Sequence, residues 1–290
     1  MEKKSIIFCG TPAFAVPSLK ALVADAAFDV RLVVTQPDRP VGRAQKVTPS
    51  PVKVAAEELG LPILQPEKIN DPSFLSSLAA HRPDFLVVVA YGQILSKEVL
   101  AVPKVAAVNV HGSLLPRWRG ASPVEHAILA GDDETGVTVQ IMAEALDAGP
   151  ILGVQSTSIG PQETALELRE RLSALGASLL VQTLQAPLHP VPQPEDGVTY
   201  CKKLAREDGM VDPLLLTAEE IERRVRALVP WPGVTISLSD QTIKILAVSL
   251  MPSPGSIALP CRQGTVLHLV QVQPANGKPM TAQEWMRGRR

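Results

Sequence analysis

Residues 105–120 read VAAVNVHGSLLPRWRG. Apart from Asn109 the first six, like FLVVVA at 85–90, are apolar and rich in valine, with none of the alternation of a half-exposed strand. Such runs are strands covered on both faces, the condition of a parallel sheet packed between helices. The neighbouring chain supplies those helices. Ile6–Cys9 and Val30–Thr35 read as further strands, with a helical stretch around Pro17–Ala24 between them. Ser50-Pro51 offers an N-cap and a first-turn proline to a helix over Val52–Leu59, which Gly60 ends. This alternation predicts a doubly wound, mostly parallel α/β sheet of the Rossmann-like kind. Ligand sites in that architecture lie beyond the carboxyl ends of the strands, where Asn109 and His111 stand.

Leucines at 166, 168, 172, 175, 179 and 180 predict a long helix over Glu163–Leu184. QAPLHPVPQPEDG (185–197) follows, and its prolines at 187, 190, 192 and 194 exclude a helix or an inner strand. It is expected to be a stiff linker. Domains are therefore expected at 1–184 and 206–290, joined by residues 185–205. In the second, Thr217 and Glu220 form a capping box opening a helix over Ile221–Leu228. Short β runs at Val234–Leu238, Ile243–Leu250 and Thr265–Gln273, separated by Pro/Gly turns, predict a small β-barrel (OB-like) or curled sheet. A Thr281/Glu284 box closes the chain with a short helix.

At 290 residues, 46% hydrophobic and 20% charged, the chain is long enough for two packed domains. Its start, MEKKSIIFCG, reads as a first strand rather than a secretory signal, and no apolar run approaches a membrane span. Cys9, Cys201 and Cys261 are far apart with no C-x-x-C pair, which argues against structural zinc and a disulfide framework. A reducing cytoplasm is the expected compartment. Residues 201–290 hold 12 Lys/Arg against 8 Asp/Glu, leaving 16 against 21 in residues 1–200. A basic C-terminal third suits a polyanion, although an imbalance of this size also arises by chance.

Residues i and i+2 of a strand face one side, so Asn109 and His111 project together while Val110 points into packing. An amide donates to a developing oxyanion, and an imidazole donates or accepts near neutral pH. Taken alone, Asn-x-His more often marks a hydrogen-bonded strand end than a site. A third group shifts that balance. Asp147, in ALDAGPIL (145–152), follows a strand-like segment at Gly136–Met142 and could orient His111. Asn109, His111 and Asp147 make a plausible acyl-transfer set that uses no serine or cysteine nucleophile and no metal.

NVHGSLLPRWRG, with LDAGPIL downstream, resembles the folate-dependent formyltransferase family. TQPDRPVGR (35–43), TPSPVKVAAEELGLP (48–62), VVVAYGQIL (87–95) and VRALVPWPG (225–233) are similar to its tRNA-directed branch, so the likeness spans essentially the whole chain. The resemblance implies that Asn109, His111 and Asp147 are the catalytic group and that Ser113, Leu114, Leu115 and Pro116 line the folate site. It implies transfer of a formyl group from 10-formyltetrahydrofolate to the α-amino group of methionyl initiator tRNA, by a monomer. It also makes the loop holding Arg39, Arg43 and Lys46 the one that approaches the acceptor end. Ala44-Gln45 stands there in place of a more basic Gly-Lys form, and Ala148 where the family usually has Thr. Arg117 and Arg119 are open to base stacking or phosphate pairing, with Trp118 expected to pack. Lys203, Arg206, Arg223 and Arg224 are candidates for the acceptor stem, the last two expected on the exposed side of their helix.

Three other readings stand beside this one. Formyl transfer to an amino-sugar nucleotide would share the three polar residues and the SLLP turn without needing the basic loop. A silent tRNA-binding protein would leave those residues unexplained. A nicotinamide dehydrogenase is disfavoured because the first turn, FCGTP (8–12), lacks G-x-G-x-x-G.

Overall fold

A computed structural model of the protein describes residues 3–42, 45–238, 241–275 and 277–288. The chain falls into two compact units, one of residues 1–120, 135–157 and 169–200, the other of residues 121–134, 158–168 and 201–290.

The first unit is organised by strand β1 (Lys4–Gly10), whose Ile6, Ile7, Phe8 and Cys9 are fully buried. Helix α1 (Val16–Ala24) leads to β2 (Phe28–Val34), α2 (Pro51–Glu58) to the short β3 (Ile63–Leu64), and α3 (Pro72–Ala80) to β4 (Phe85–Val89). Strands β5 (Ala106–His111), β6 (Glu134–Ile141) and β7 (Ile151–Ser158) complete a seven-stranded sheet of order β7-β6-β5-β4-β1-β2-β3. β1 is parallel to β2 and β4, and β4 to β5, whereas β6 runs antiparallel to β5. Every residue of β4 is buried, as expected of a strand covered on both faces. The chain builds outward from β1 in both directions, so the order reverses between β1 and β4, the place where doubly wound sheets bind ligands.

Local chemistry fixes the ends. Ser50 Oγ accepts the Lys53 amide at 3.0 Å to cap α2, and Asp71 accepts the Ser73 amide at 2.9 Å to cap α3. At the mouth of β4, Asp84 accepts both the Ser5 amide and the Ser5 hydroxyl at 2.7 Å, fastening β4 to β1. Helix α4 (Ala165–Gln185) buries Leu172, Leu180 and Leu184 completely. Its Gly176 lies where a Cβ would come 2.8 Å from Val110 Cγ1, so the absent side chain lets α4 settle on the face of β5 opposite Asn109 and His111.

In the second unit, β8 (Met210–Val211), β9 (Val234–Leu238), β10 (Gln241–Ser249), β11 (Ile257–Pro260), β12 (Val266–Pro274) and β13 (Met280–Thr281) form a sheet of order β8-β9-β10-β12-β11, with β13 on β12. The pairings beyond β8–β9 are antiparallel, and register shifts around Ala247 mark the irregularities that bend β10. A helix over Ala218–Ala227 carries the Thr217/Glu220 capping box and packs against a helix over Pro123–Ala130. No helix among the described residues is long and apolar enough to cross a membrane.

Candidate active site

Strand β5 ends at His111, and Asn109 and His111 emerge on one side of it. Across the β5–β6 pair Asn109 lies opposite Gln140, and His111 opposite Thr138. The β6–β7 loop brings up Asp147, whose backbone is left-handed at φ 49°. An aspartate tolerates that conformation better than most residues. The loop is drawn tight at Gly149, where a Cβ would fall 1.8 Å from the Ile141 carbonyl oxygen. Only glycine allows so close an approach.

The three groups converge. Asp147 Oδ2 accepts the Gly120 amide at 2.8 Å and lies 3.7 Å from His111 Nδ1. Asp147 Oδ1 accepts Gln140 Nε2 at 3.1 Å and Asn109 Nδ2 at 3.4 Å. The His111 and Asp147 side chains are 7% and 12% exposed, so their attraction is weakly screened. His111 Nε2 is 2.8 Å from the Trp118 carbonyl oxygen. A carbonyl only accepts, so Nε2 carries hydrogen, and the ring nitrogen that gains or loses a proton is Nδ1, beside Asp147. Asn109 is half-buried with one long side-chain hydrogen bond, which leaves its amide capacity for a substrate oxygen. That unused donor fits an acyl group such as a formyl.

The turn after β5 is held from below. Thr138 Oγ1 donates to the Ser113 carbonyl at 2.7 Å and accepts the Leu115 amide at 3.1 Å, while Ser113 Oγ donates to the Arg117 carbonyl at 2.6 Å. Ser113 and Leu115 therefore turn their side chains inward, at 0% and 6% exposure, and Leu114 and Pro116 are half-buried. Of the SLLP residues, these last two keep part of their side chains accessible. A hollow of about 430 Å³ opens beside the Asp147 loop, lined by Arg119, Ala148, Pro150, Gln193, Glu195 and Tyr200 among others.

Sequence reasoning missed Gln140, Gln193, the Trp118 carbonyl and the Gly120 amide. Gln140 had a signal, a large polar side chain in the mostly apolar run GVTVQIM, and it proves 1% exposed. Gln193 was hidden among prolines. Burial pushes the Cys9 thiol well up, which removes it as a nucleophile.

The expected cationic contacts are scattered. Arg39 and Lys46 are exposed on a short hairpin, where Arg39 pairs with Glu67. Arg43 lies outside the described residues. Arg117 is exposed with its guanidinium 4.5 Å from the Trp118 ring centroid, and half-buried Arg119 directs Nε and Nη2 to Gln193 at 3.0 and 2.6 Å. Lys203 and Arg206 are exposed in the second unit. Arg223 and Arg224 depart from expectation, because both are half-buried. Arg223 lies along Gly131, and its Nε is buried without a hydrogen-bond partner among the described residues, whereas Arg224 donates back to the Glu220 carbonyl at 3.2 Å. The face expected to be open is covered by the Pro123–Ala130 helix and the glycine after it.

A doubly wound sheet that brings amide, imidazole and carboxylate together beside one strand end is suited to acyl transfer, and the sequence matches give the class as formyl transferase. Residues 3–184 match the formyl transferase family, and residues 203–290 its C-terminal domain. A methionyl-tRNA formyltransferase of Halorhodospira halophila (strain DSM 244 / SL1) is 45% identical, covering 98% of this chain and 96% of its own. One of Xylella fastidiosa (strain 9a5c) is also 45% identical, covering 98% and 97%. The fold is shared at 18% identity with the crystal structure of an N-formyltransferase from Helicobacter canadensis in complex with folinic acid and dTDP-3-aminofucose, at a TM-score of 0.67 over 94% of this chain and 100% of that one. The chain belongs to the methionyl-tRNA formyltransferase family.

Proposed function

We propose that Asn109, His111 and Asp147 carry the transfer of a formyl group from 10-formyltetrahydrofolate to the α-amino group of methionyl initiator tRNA. The observation that carries this reading is the convergence of Asn109 and His111 on the Asp147 carboxylate at the end of β5. 10-Formyltetrahydrofolate supplies the formyl carbon, with the Ser113–Pro116 turn as its bed. Asn109 donates its free amide hydrogen to the formyl oxygen, which gains negative charge as the amine attacks. A donor aimed in advance at such an oxygen is worth about 3–4 kcal/mol. His111, fixed through Nε2 to Trp118, presents Nδ1 as the site that takes up the amine's proton and passes it toward the departing nitrogen. At 3.7 Å Asp147 sits just beyond hydrogen-bond reach of Nδ1, close enough to support positive charge there and far enough to leave the nitrogen open to a substrate atom.

Residues 1–184 are the catalytic part, 185–205 the link and 206–290 the tRNA-binding part of a cytoplasmic monomer. Arg39, Lys46, Arg117, Lys203 and Arg206 are exposed and suit phosphate contacts, and Arg43, between Arg39 and Lys46 in the sequence, is proposed to join them. Arg119, Arg223 and Arg224 are half-buried and suit support of the fold rather than contact.

The test is formyl transfer to methionyl initiator tRNA, compared with an amino-sugar nucleotide and with no acceptor. Asn109→Ala and His111→Ala should each lower turnover by about two orders of magnitude. Turnover near that of the unaltered enzyme in a folded variant would overturn the assignment, and faster transfer to the nucleotide would overturn the acceptor.

A further inference from the structure

Asp147 must stand in a left-handed backbone conformation, in a loop, within reach of His111 and Asn109. Loops do not hold such geometry unaided. The holding group comes from the proline-rich segment. Gln193 Nε2 donates at 2.8 Å to the Asp147 carbonyl and at 2.8 Å to the Gly149 carbonyl, and lies 3.2 Å from Gln140 Oε1. Its Oε1 accepts Nε and Nη2 of Arg119.

The direction of this amide is not interchangeable. A guanidinium only donates and a carbonyl only accepts, so oxygen must face Arg119 and nitrogen must face the loop. The strap that carries Gln193 is itself fixed. Val191 and Ile151 exchange backbone hydrogen bonds at 2.7 and 2.9 Å, tying it to the start of β7, and Pro192 and Pro194 on either side stiffen the chain. On the far side of the loop the Ile141 amide donates to the Pro150 carbonyl at 2.9 Å. The loop is thus clamped at both ends of the turn that carries the carboxylate.

We propose that Gln193, oriented by Arg119, is a positioning residue for formyl transfer, acting through the backbone of residues 147–149 to set the Asp147 carboxylate against His111. The proposal rests on the reading of Asp147 as a catalytic group. Three full-length variants test it together: Gln193→Ala, Gln193→Glu and Asp147→Asn. Alanine removes the donor and frees the loop. Glutamate keeps the size and the bond to Arg119 but turns a carboxylate oxygen toward two carbonyl oxygens, so it should push the loop away. Misplacement of a catalytic group by about 1 Å costs about 100-fold, which sets the expected scale at about 10-fold for alanine and about 100-fold for glutamate in kcat. KM for both substrates should stay within about twofold, since the residue is placed to act on the transition state rather than on ground-state binding.

The order is the decisive readout. A residue that merely fills space would make the near-isosteric glutamate the milder change, so activity in the order Gln, Glu, Ala overturns the proposal, as does unchanged kcat in both variants. If Asp147→Asn is inactive while both Gln193 variants are unaffected, the positioning role alone fails. If Asp147→Asn is fully active, the catalytic reading of Asp147 fails and the positioning role fails with it.

Discussion

Replacing Asp147 by asparagine changes one oxygen to an amide nitrogen, and the surroundings decide what that does. The Gly120 amide at 2.8 Å from Oδ2 is backbone and cannot turn over, so the new side chain keeps its oxygen there. Its NH2 then faces Gln140 Nε2 at 3.1 Å and Asn109 Nδ2 at 3.4 Å, both donors. Gln140 cannot rotate to offer its oxygen without giving up the Gln193 amide 3.2 Å away. At least one charge-assisted hydrogen bond is lost, about 1.5–3 kcal/mol, a cost the folded chain can bear. The larger effect falls on chemistry, because no charge remains beside His111 Nδ1 to support a proton there. A loss of about 10²–10³ in kcat is expected, equivalent to about 3–4 kcal/mol at 1.36 kcal/mol per decade. Single-turnover transfer to charged initiator tRNA is the suitable assay, because slow product release would hide part of the effect. A folded variant that turns over within about threefold of the unaltered enzyme would refute the reasoning, since it would mean the carboxylate takes no part in the transition state.

Lys203→Glu with Arg206→Glu should weaken binding of initiator tRNA and reduce the slope of log affinity against log salt by about one to two units, and an unchanged slope would remove these residues from the interface. Asp84→Asn should destabilise the first unit by about 1–2 kcal/mol near neutral pH. There, although burial pushes it upward, the Ser5 amide and hydroxyl and Lys104 hold the Asp84 carboxyl below the usual carboxylate range. Its stabilising effect is therefore present above the unfolded-state value and lost as pH falls through the folded one. The gap in urea midpoint between the two proteins should narrow on acidification, and a gap that widens would contradict the assignment.

What the sequence made legible was whatever is local or periodic. β4 and β5 announce themselves because strands covered on both faces need apolar side chains throughout. Ser50, Thr217 and Thr281 each accept from the amide three residues on, as their positions before a helix suggested. The Asn109/His111 pair follows from the two-residue repeat of a strand. α3 escaped because PSFLSSLAA has three serines and no clear stripe, and β7 because its second half, QSTS, is largely exposed. The misplacement of Arg223 and Arg224 has the same root. The Ala218–Ala227 helix shows an open polar face in sequence, and only the tertiary fold brings the Pro123–Ala130 helix against it.

The least legible part of the site is also the most informative about its design. The fixed donors to the Asp147 carboxylate are the Gly120 backbone amide and the side-chain amides of Gln140 and Asn109, all neutral, while the His111 ring lies 3.7 Å from it. Arg119 is nearby in the same network, yet its Nε and Nη2 donate to Gln193 Oε1, and it is the Nε2 end of that neutral amide that reaches the Asp147 loop. A guanidinium placed directly on the carboxylate would form a strong bidentate pair and compete with the imidazole for its charge. Interposing an amide lets a rigid cation anchor the loop mechanically without neutralising the group it positions. Nothing local marks that arrangement in the sequence, because Gln193 and Asp147 are 46 residues apart and meet only when the proline-rich strap is fastened to β7.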